Sequence, residues 1–318
     1  MRVHIPGFYP DRGVGSGKAM FCSRLHYALA VEPNVTVVDS PEKADVQLHV
    51  IKMHNSYRGC KNVLRLNGIY FDGHDYKTRN IPMQRAMSSC DGIVYQSEFS
   101  RRMCNYYLGK AKVPCTVILN GANPSELTDV AKTSLSCEHL FIAFSRWRPH
   151  KRLTDAIESF LEADIPNSTL LIAGGLTNSG LSPAVKRRYF SLPHVIFAGQ
   201  LHPDKLYSYL TVAKASLHLS PCDWCPNSVV EAVCLKIPVI CSNAGGTKEI
   251  VEPSGGIVCK IDSETSYRPV RLHPPSINRS LVANALHQCL TPRLISYQHV
   301  DIRVVARSYV KFFEEVMS

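Results

Sequence analysis

The sequence predicts an α/β protein built from two doubly wound domains that face each other across a cleft. Three observations carry this. Short β-rich runs alternate with amphipathic helical stretches along most of the 318 residues, the pattern of parallel sheets covered on both faces. The length exceeds one ordinary core and suits two of roughly 150 residues each. A polar stretch, Asn123–Glu138, interrupts the alternation, which then restarts, and is expected to be a linker.

In chain order, Arg2–Pro6 reads as a strand, Lys18–Ala30 as a helix, and Val35–Asp39, Val46–Met53 and Val63–Leu66 as strands. A loop holding Asp72 to Asp75 precedes a helix near Pro82–Ser89, followed by strand Gly92–Gln96, helix Glu98–Leu108 and strand Cys115–Leu119. After the linker come strand Leu140–Phe144, helix His150–Ala163, strands Thr169–Ala173 and Val195–Ala198, and helix Pro203–Ala213. Strand Ala215–Leu219, helix Ser228–Leu235 and strands Pro238–Cys241 and Gly255–Val258 follow, and Asn278–Cys289 and Val300–Met317 read as closing helices.

Composition narrows the function. With 45% hydrophobic and 19% charged residues the chain fills two cores and is not a disordered polymer. Polar residues interrupt every apolar run short of a membrane span, and Arg2–Gly7 is too short for an export signal, so a cytoplasmic protein is expected. The twelve cysteines are scattered through apolar segments and are expected to be reduced thiols. Cys222 and Cys225 form a C-x-x-C without a second ligand pair for zinc; local packing or a redox pair both fit it. Residues 1–124 hold sixteen Lys/Arg against nine Asp/Glu, net +7, whereas residues 125–318 are only +3. The first half is therefore expected to meet something anionic, or simply to carry solubilising charge.

Three segments stand where chemistry is done in such folds, beyond the carboxyl ends of the strands. Gly15-Ser16-Gly17-Lys18 opens the first helix; it lacks the spacing of a P-loop, yet its amides could approach a phosphate or a sugar. Arg146, Arg148, Lys151 and Arg152 are four cations within seven residues after a strand, placed to neutralise a diphosphate or merely solvated. In Ser220–Ala232, Asp223 and Glu231 are eight residues apart, and Pro226 suits a first helical turn that leaves the amides of Asn227 and Ser228 free for an anion. Glu231, about one turn into that helix, could grip a ribose diol. Asn243–Glu249 is a further glycine turn of the same kind.

These residues resemble, in order, the nucleotide-sugar domain of retaining family 4 glycosyltransferases of the GT-B fold. Asn120-Gly121-Ala122-Asn123 resembles that family's N-G-V-D, Arg146 to Lys151 its R-x4-K, and Asp223 to Glu231 its E-x7-E; Gly174-Gly175, Gly199-Gln200, Pro238-Val239-Ile240 and Gly245–Val251 follow suit. The match spans about residues 115–258; the first half resembles the family more loosely, through Ser16-Gly17 and its strand-helix order. The resemblance implies two Rossmann-like domains, 1–124 on the acceptor side and 125–299 on the nucleotide-sugar side, with 300–318 a helix crossing back onto the first. It implies transfer of a sugar with retention to a glycan, lipid-linked or protein-linked acceptor. Arg146 and Lys151 would hold the donor diphosphate, Glu231 the ribose and Asp223 the sugar hydroxyls. Backbone near Gln200 and Leu201 would frame the base, and Ser16, Gly17, Asn227 and Ser228 would complete the donor site. With cations and helix amides stabilising the leaving diphosphate, no metal or other cofactor is expected.

Two departures qualify the resemblance. The first acid of the E-x7-E is Asp223, followed by Trp224-Cys225-Pro226, an Asp-x-x-Cys/Pro-Asn type variant. Where the family often has a histidine facing the sugar, this chain has Asn67; His54 and His74 are nearby substitutes. Asn67 can hydrogen-bond a hydroxyl but is no acid or base, and the leaving diphosphate itself would then take the acceptor's proton. Two other classes stay open: a silent nucleotide-sugar-binding module, and a basic protein meeting nucleic acid or an anionic membrane surface through the Glu98–Lys112 region. Of these, nucleic acid is not the expected partner.

Overall fold

The computed structural model describes residues 1–6, 17–53, 56–72, 75–131, 133, 137–263 and 274–318. Among them run twelve strands and twelve helices. The first sheet holds β1 (Arg2–His4), β2 (Thr36–Val37), β3 (Val46–Val50), β4 (Lys61–Leu66), β5 (Gly92–Tyr95) and β6 (Cys115–Val117). Helices α1 (Gly17–Ala30), α2 (Tyr76–Arg79), α3 (Ile81–Met87) and α4 (Glu98–Tyr107) connect them. After α5 (Pro124–Thr128) the second sheet begins with β7 (His139–Phe144), β8 (Ser168–Ala173) and β9 (Val195–Gly199), and continues with β10 (Ala215–His218), β11 (Val239–Ser242) and β12 (Ile257–Cys259). Its helices are α6 (Leu153–Ala163), α7 (Pro183–Phe190), α8 (Pro203–Leu210), α9 (Asn227–Cys234), α10 (Lys248–Ser254) and α11 (Arg279–Gln288), with α12 (Ile302–Met317) closing the chain.

Every pairing is parallel. The strand orders are β2-β1-β3-β4-β5-β6 and β12-β11-β10-β7-β8-β9. Both sheets are doubly wound, so the order reverses between β1 and β3 in the first and between β7 and β10 in the second, and side chains beyond those carboxyl ends splay into a crevice. The expected fold class is the one observed.

Both faces of the central strands are covered: all five residues of β3 are buried, Gln47 and His49 included, and five of the six in β4, Asn62 and Arg65 included. This is what two-sided cover demands. The stretch expected to be linker contains α5, started by Pro124 after an Asn123 cap that accepts from the Ser125 amide at 3.1 Å. Leu127, wholly buried in the second core, explains why this polar segment folds. Helix α6 starts later than expected, at Leu153, because Arg152 adopts a left-handed conformation (φ 55°) after a 3-10 turn at Pro149–Lys151. Helices α2 and α7 were not expected. Helix α7 carries three successive cations, Lys186 to Arg188; a Ser182 cap accepting from the Val185 amide starts it and buried Tyr189 anchors it.

The chain passes between domains twice, side by side: Ala122 donates to Val300 O and accepts from Ile302, both at 3.0 Å. Helix α12 then packs Val305, Tyr309, Phe312 and Phe313 into the first-domain core beside Phe21 and Val94. All twelve cysteines are free thiols. Cys222 and Cys225 are buried, and burial raises both to about 12, which keeps them protonated.

Candidate active site

The four clustered cations have three different settings. Arg152 is buried and bidentate to Asp262 (2.7 and 2.5 Å), so it anchors the loop and faces no ligand. Lys151 donates to Asp223 Oδ2 across the crevice between β7 and β10. Arg146 and Arg148 are exposed, and neither has an ion pair among the described residues. Gly174 (φ 109°) lets this loop lie on the end of β8: a Cβ there would sit 1.9 Å from Ser145 O.

Asp223 is held at both oxygens. Oδ2 takes Lys151 and His218 Nε2 (2.9 Å), and Oδ1 accepts from the Trp224 amide at 3.1 Å. Burial opposes its ionisation, but the Lys151 charge and the His218 hydrogen bond outweigh that and hold the carboxyl far below the usual range. Because an ionised carboxylate only accepts, His218 Nε2 must carry the proton. Burial lowers His218 as well, so it is a neutral donor and Lys151 is the charge partner.

Helix α9 begins after Pro226, and Val229 and Val230 both donate to Pro226 O (3.1 and 3.2 Å). The amides of Asn227 and Ser228, one turn earlier, make no hydrogen bond among the described residues and remain available to an anion. Glu231 is buried on the same helix, where it accepts from Arg24 Nη1 of α1 at 2.9 Å. The expected ribose ligand is thus engaged by a first-domain cation. Gln200 is exposed just beyond edge strand β9, and Leu201 is half-buried against the second core.

On the first domain, Arg65 and Asn67 lie two apart at the end of β4 and so share a face. The buried Arg65 guanidinium donates to Asn67 Oδ1, Gln96 Oε1 (2.9 Å) and Asn120 Oδ1. Asn120 Nδ2 continues to Cys225 O and Asn227 Oδ1, both 2.8 Å, and Asn227 Nδ2 donates to Gly17 O at 2.9 Å. Trp224 stacks on Phe99 with centroids 5.1 Å apart, and Gly68 (φ 91°) is required beneath it, since a Cβ would lie 2.0 Å from the indole. Glu249 caps α4, accepting from the Glu98 and Phe99 amides at 2.6 and 2.8 Å. Between the domains lies a cavity of about 310 Å³ lined by Asn67, Tyr70, Phe71, Asp72, Arg148 and Trp224, among others.

Of the expected residues, Lys151 pairs with Asp223 and Asn227 with Gly17, while Asn67 lines the cavity and connects to Asn227 through Arg65 and Asn120. Ser16, His54 and His74 lie outside the described residues. The sequence reading missed Arg24, Arg65, Gln96 and His218. Of these, only Arg65, flanked by Val63-Leu64 and Leu66, stands out in the sequence as a charge within an apolar run.

The chain folds as a GT-B protein. Residues 129–267 match the family model described as glycosyl transferases group 1. Anabaena HepE in complex with UDP and glucose superposes with a TM-score of 0.69 at 15% identity, covering 99% of this chain and 100% of that one. Sucrose-phosphate synthase from Thermosynechococcus elongatus gives 0.66 at 14%, covering 100% and 95%. The E. coli structure described as trehalose-6-phosphate bound with UDP-2-fluoro glucose gives 0.64 at 11%, covering 99% of each chain. No curated protein matches the sequence. The matched segment contains Arg146, Lys151, Asp223 and Glu231; Gly17, Arg65, Asn67 and Asn120 lie outside it, and Asn120 and Gly17 bind it at Cys225 and Asn227.

Proposed function

We propose that this GT-B protein transfers a sugar from a nucleotide-diphosphate sugar to an acceptor hydroxyl, with retention and without a metal. The observation that carries this is the arrangement at the β7/β10 switch point. Lys151 and exposed Arg146 follow β7, ionised Asp223 follows β10 and pairs with Lys151, and α9 then begins with two unspent amides. A diphosphate there would be neutralised without a cation cofactor, and its departure would be stabilised by groups already in place. Asp223, held by Lys151 and His218, would orient the sugar's hydroxyls, and backbone near Gln200 and Leu201 would frame the base. Glu231 would reach a ribose diol by sharing its carboxylate with Arg24.

The acceptor belongs in the 310 Å³ cavity, whose aromatic wall (Tyr70, Phe71, Trp224) and polar rim suit a glycan or the sugar head of a lipid- or protein-linked acceptor. Asn67 there has no acid–base capacity, so the departing diphosphate oxygen takes the acceptor's proton on the same face. No helix among the described residues is long and apolar enough to cross a membrane. Contact with an anionic membrane surface through the first domain, on the cytoplasmic side, is part of the same proposal.

Incubation with a panel of UDP-, GDP- and ADP-sugars, read by mass spectrometry and anomeric NMR, tests the reading. One donor should be consumed with retention in the presence of EDTA. Arg146→Ala should weaken that donor's binding about tenfold, the worth of one charge-assisted hydrogen bond, without lowering Tm. Donor binding with no turnover of any sugar would instead make the chain a silent binding module.

A further inference from the structure

Arg65 is almost fully buried, yet its hydrogen-bond partners are three neutral amides, and among the described residues it has no carboxylate partner. A guanidinium donates and never accepts, so each carboxamide that hydrogen-bonds it must present its oxygen. That one constraint propagates. With Oδ1 turned to Arg65, Asn67 keeps only its Nδ2 for the cavity that it lines, and this nitrogen makes no hydrogen bond among the described residues. Gln96, with Oε1 on Arg65, directs Nε2 to Asn67 O at 2.9 Å and fixes that residue's backbone as well. Asn120, with Oδ1 on Arg65, must donate from Nδ2, and does so to Cys225 O and Asn227 Oδ1. Asn227 is thereby turned so that its own Nδ2 donates to Gly17 O.

We propose that Arg65 is the positioning residue that sets the polarity of the whole cleft. It presents Asn67 to the acceptor cavity as a hydrogen-bond donor, so that the bound group there offers an oxygen lone pair. Through Asn120 and Asn227 it also ties the start of α1 to the first turn of α9. Only the identity of that oxygen, an acceptor hydroxyl, rests on the glycosyl-transfer reading; the amide orientations do not.

The test has two arms. In selectively ¹⁵N-asparagine-labelled protein, the Asn120 carboxamide protons should exchange slowly with water, while those of Asn67 exchange at solvent rates. Asn67→Asp retains the oxygen facing Arg65, so its Tm at neutral pH should equal or exceed that of the wild type. A protected Asn67 carboxamide, or a lower Tm for Asn67→Asp, overturns the assigned polarity whether or not the protein turns over a sugar.

The second arm uses the nucleotide sugar that the wild type consumes fastest. Asn67→Asp should lower kcat at least tenfold with donor KM within threefold. Arg65→Met should do the same, and adding Asn67→Ala to it should cost less than a further twofold, because one residue acts through the other. Wild-type kcat in Asn67→Asp, or multiplicative losses in the double variant, overturns the positioning role. Should Arg65→Met not fold, Asn67→Asp still decides. Should the wild type consume no sugar, the glycosyl-transfer reading fails and the exchange arm alone decides the polarity.

Discussion

Arg24 and Glu231, 207 residues apart, form a buried ion pair across the two domains, with Nη1 to Oε1 at 2.9 Å. Their side chains are only 3% and 9% exposed, and Arg24 Nη2 also donates to Tyr207 Oη at 3.1 Å. Burial opposes the Arg24 charge, but Glu231 and Tyr207 more than offset it and raise its pKa. Removing one partner would strand the other in a site without water. Arg24→Met should therefore lose about 3 kcal/mol in urea denaturation, and Glu231→Gln in the same background should return more than about 1 kcal/mol. A single-variant loss under about 1 kcal/mol would show that the pair does not hold the domains.

Gly68 permits the two domains to meet at Trp224. Its φ of 91° disfavours any side chain, and the nearest indole atom would lie 2.0 Å from an added Cβ. Gly68→Ala should cost about 2–4 kcal/mol or drive the indole off Phe99. The chain has two tryptophans, and Trp147 is buried with Nε1 bound to Ala173 O, so a red-shifted emission would report Trp224. Unchanged emission and stability together would rule out this close approach.

His150 makes stability depend on pH. Burial, with the neighbouring Lys151 charge, lowers its pKa from 6.5 to about 4; Asp223 opposes this, while Arg148 and His218 act with Lys151. As pH falls below 6.5 the unfolded chain takes up a proton that the folded chain refuses until about pH 4. Stability is thus full above that window and lost through it, by roughly 3 kcal/mol from this residue. His150→Phe, which preserves the edge contact with Phe71, should remove that portion of the slope. Parallel stability curves for variant and wild type between pH 7 and 4 would exclude His150 as the cause.

Much of the fold was legible because its signals are local. The apolar run of β7 declares two-sided burial by composition, and Pro226 marks the start of α9 by its backbone chemistry. The polar stretch around α5 misled because a single buried residue, Leu127, decides its fate, and one residue makes no periodicity. The candidate site was half legible. Lys151, Asp223, Asn227 and Ser228 stand at strand ends and a helix start that the sequence displays. His218 was not singled out, because a histidine ending an apolar strand is ordinary until its partner is known.

The sequence by itself determined two α/β domains, the order of their elements and the cation-rich turn after β7. Composition, periodicity and turn residues act within a few positions, and those features need nothing longer. Only the tertiary structure decided which charges are free. Arg152, Lys151 and Arg146 are near neighbours in the chain, yet Asp262 takes the first, Asp223 the second, and the third is left exposed. It likewise decided that Arg65 and Asn120 bind each other, and that Arg24 reaches Glu231. Such pairings depend on strand order and on how two sheets meet. Where such groups are buried, the partner that happens to be within reach sets each group's charge and polarity.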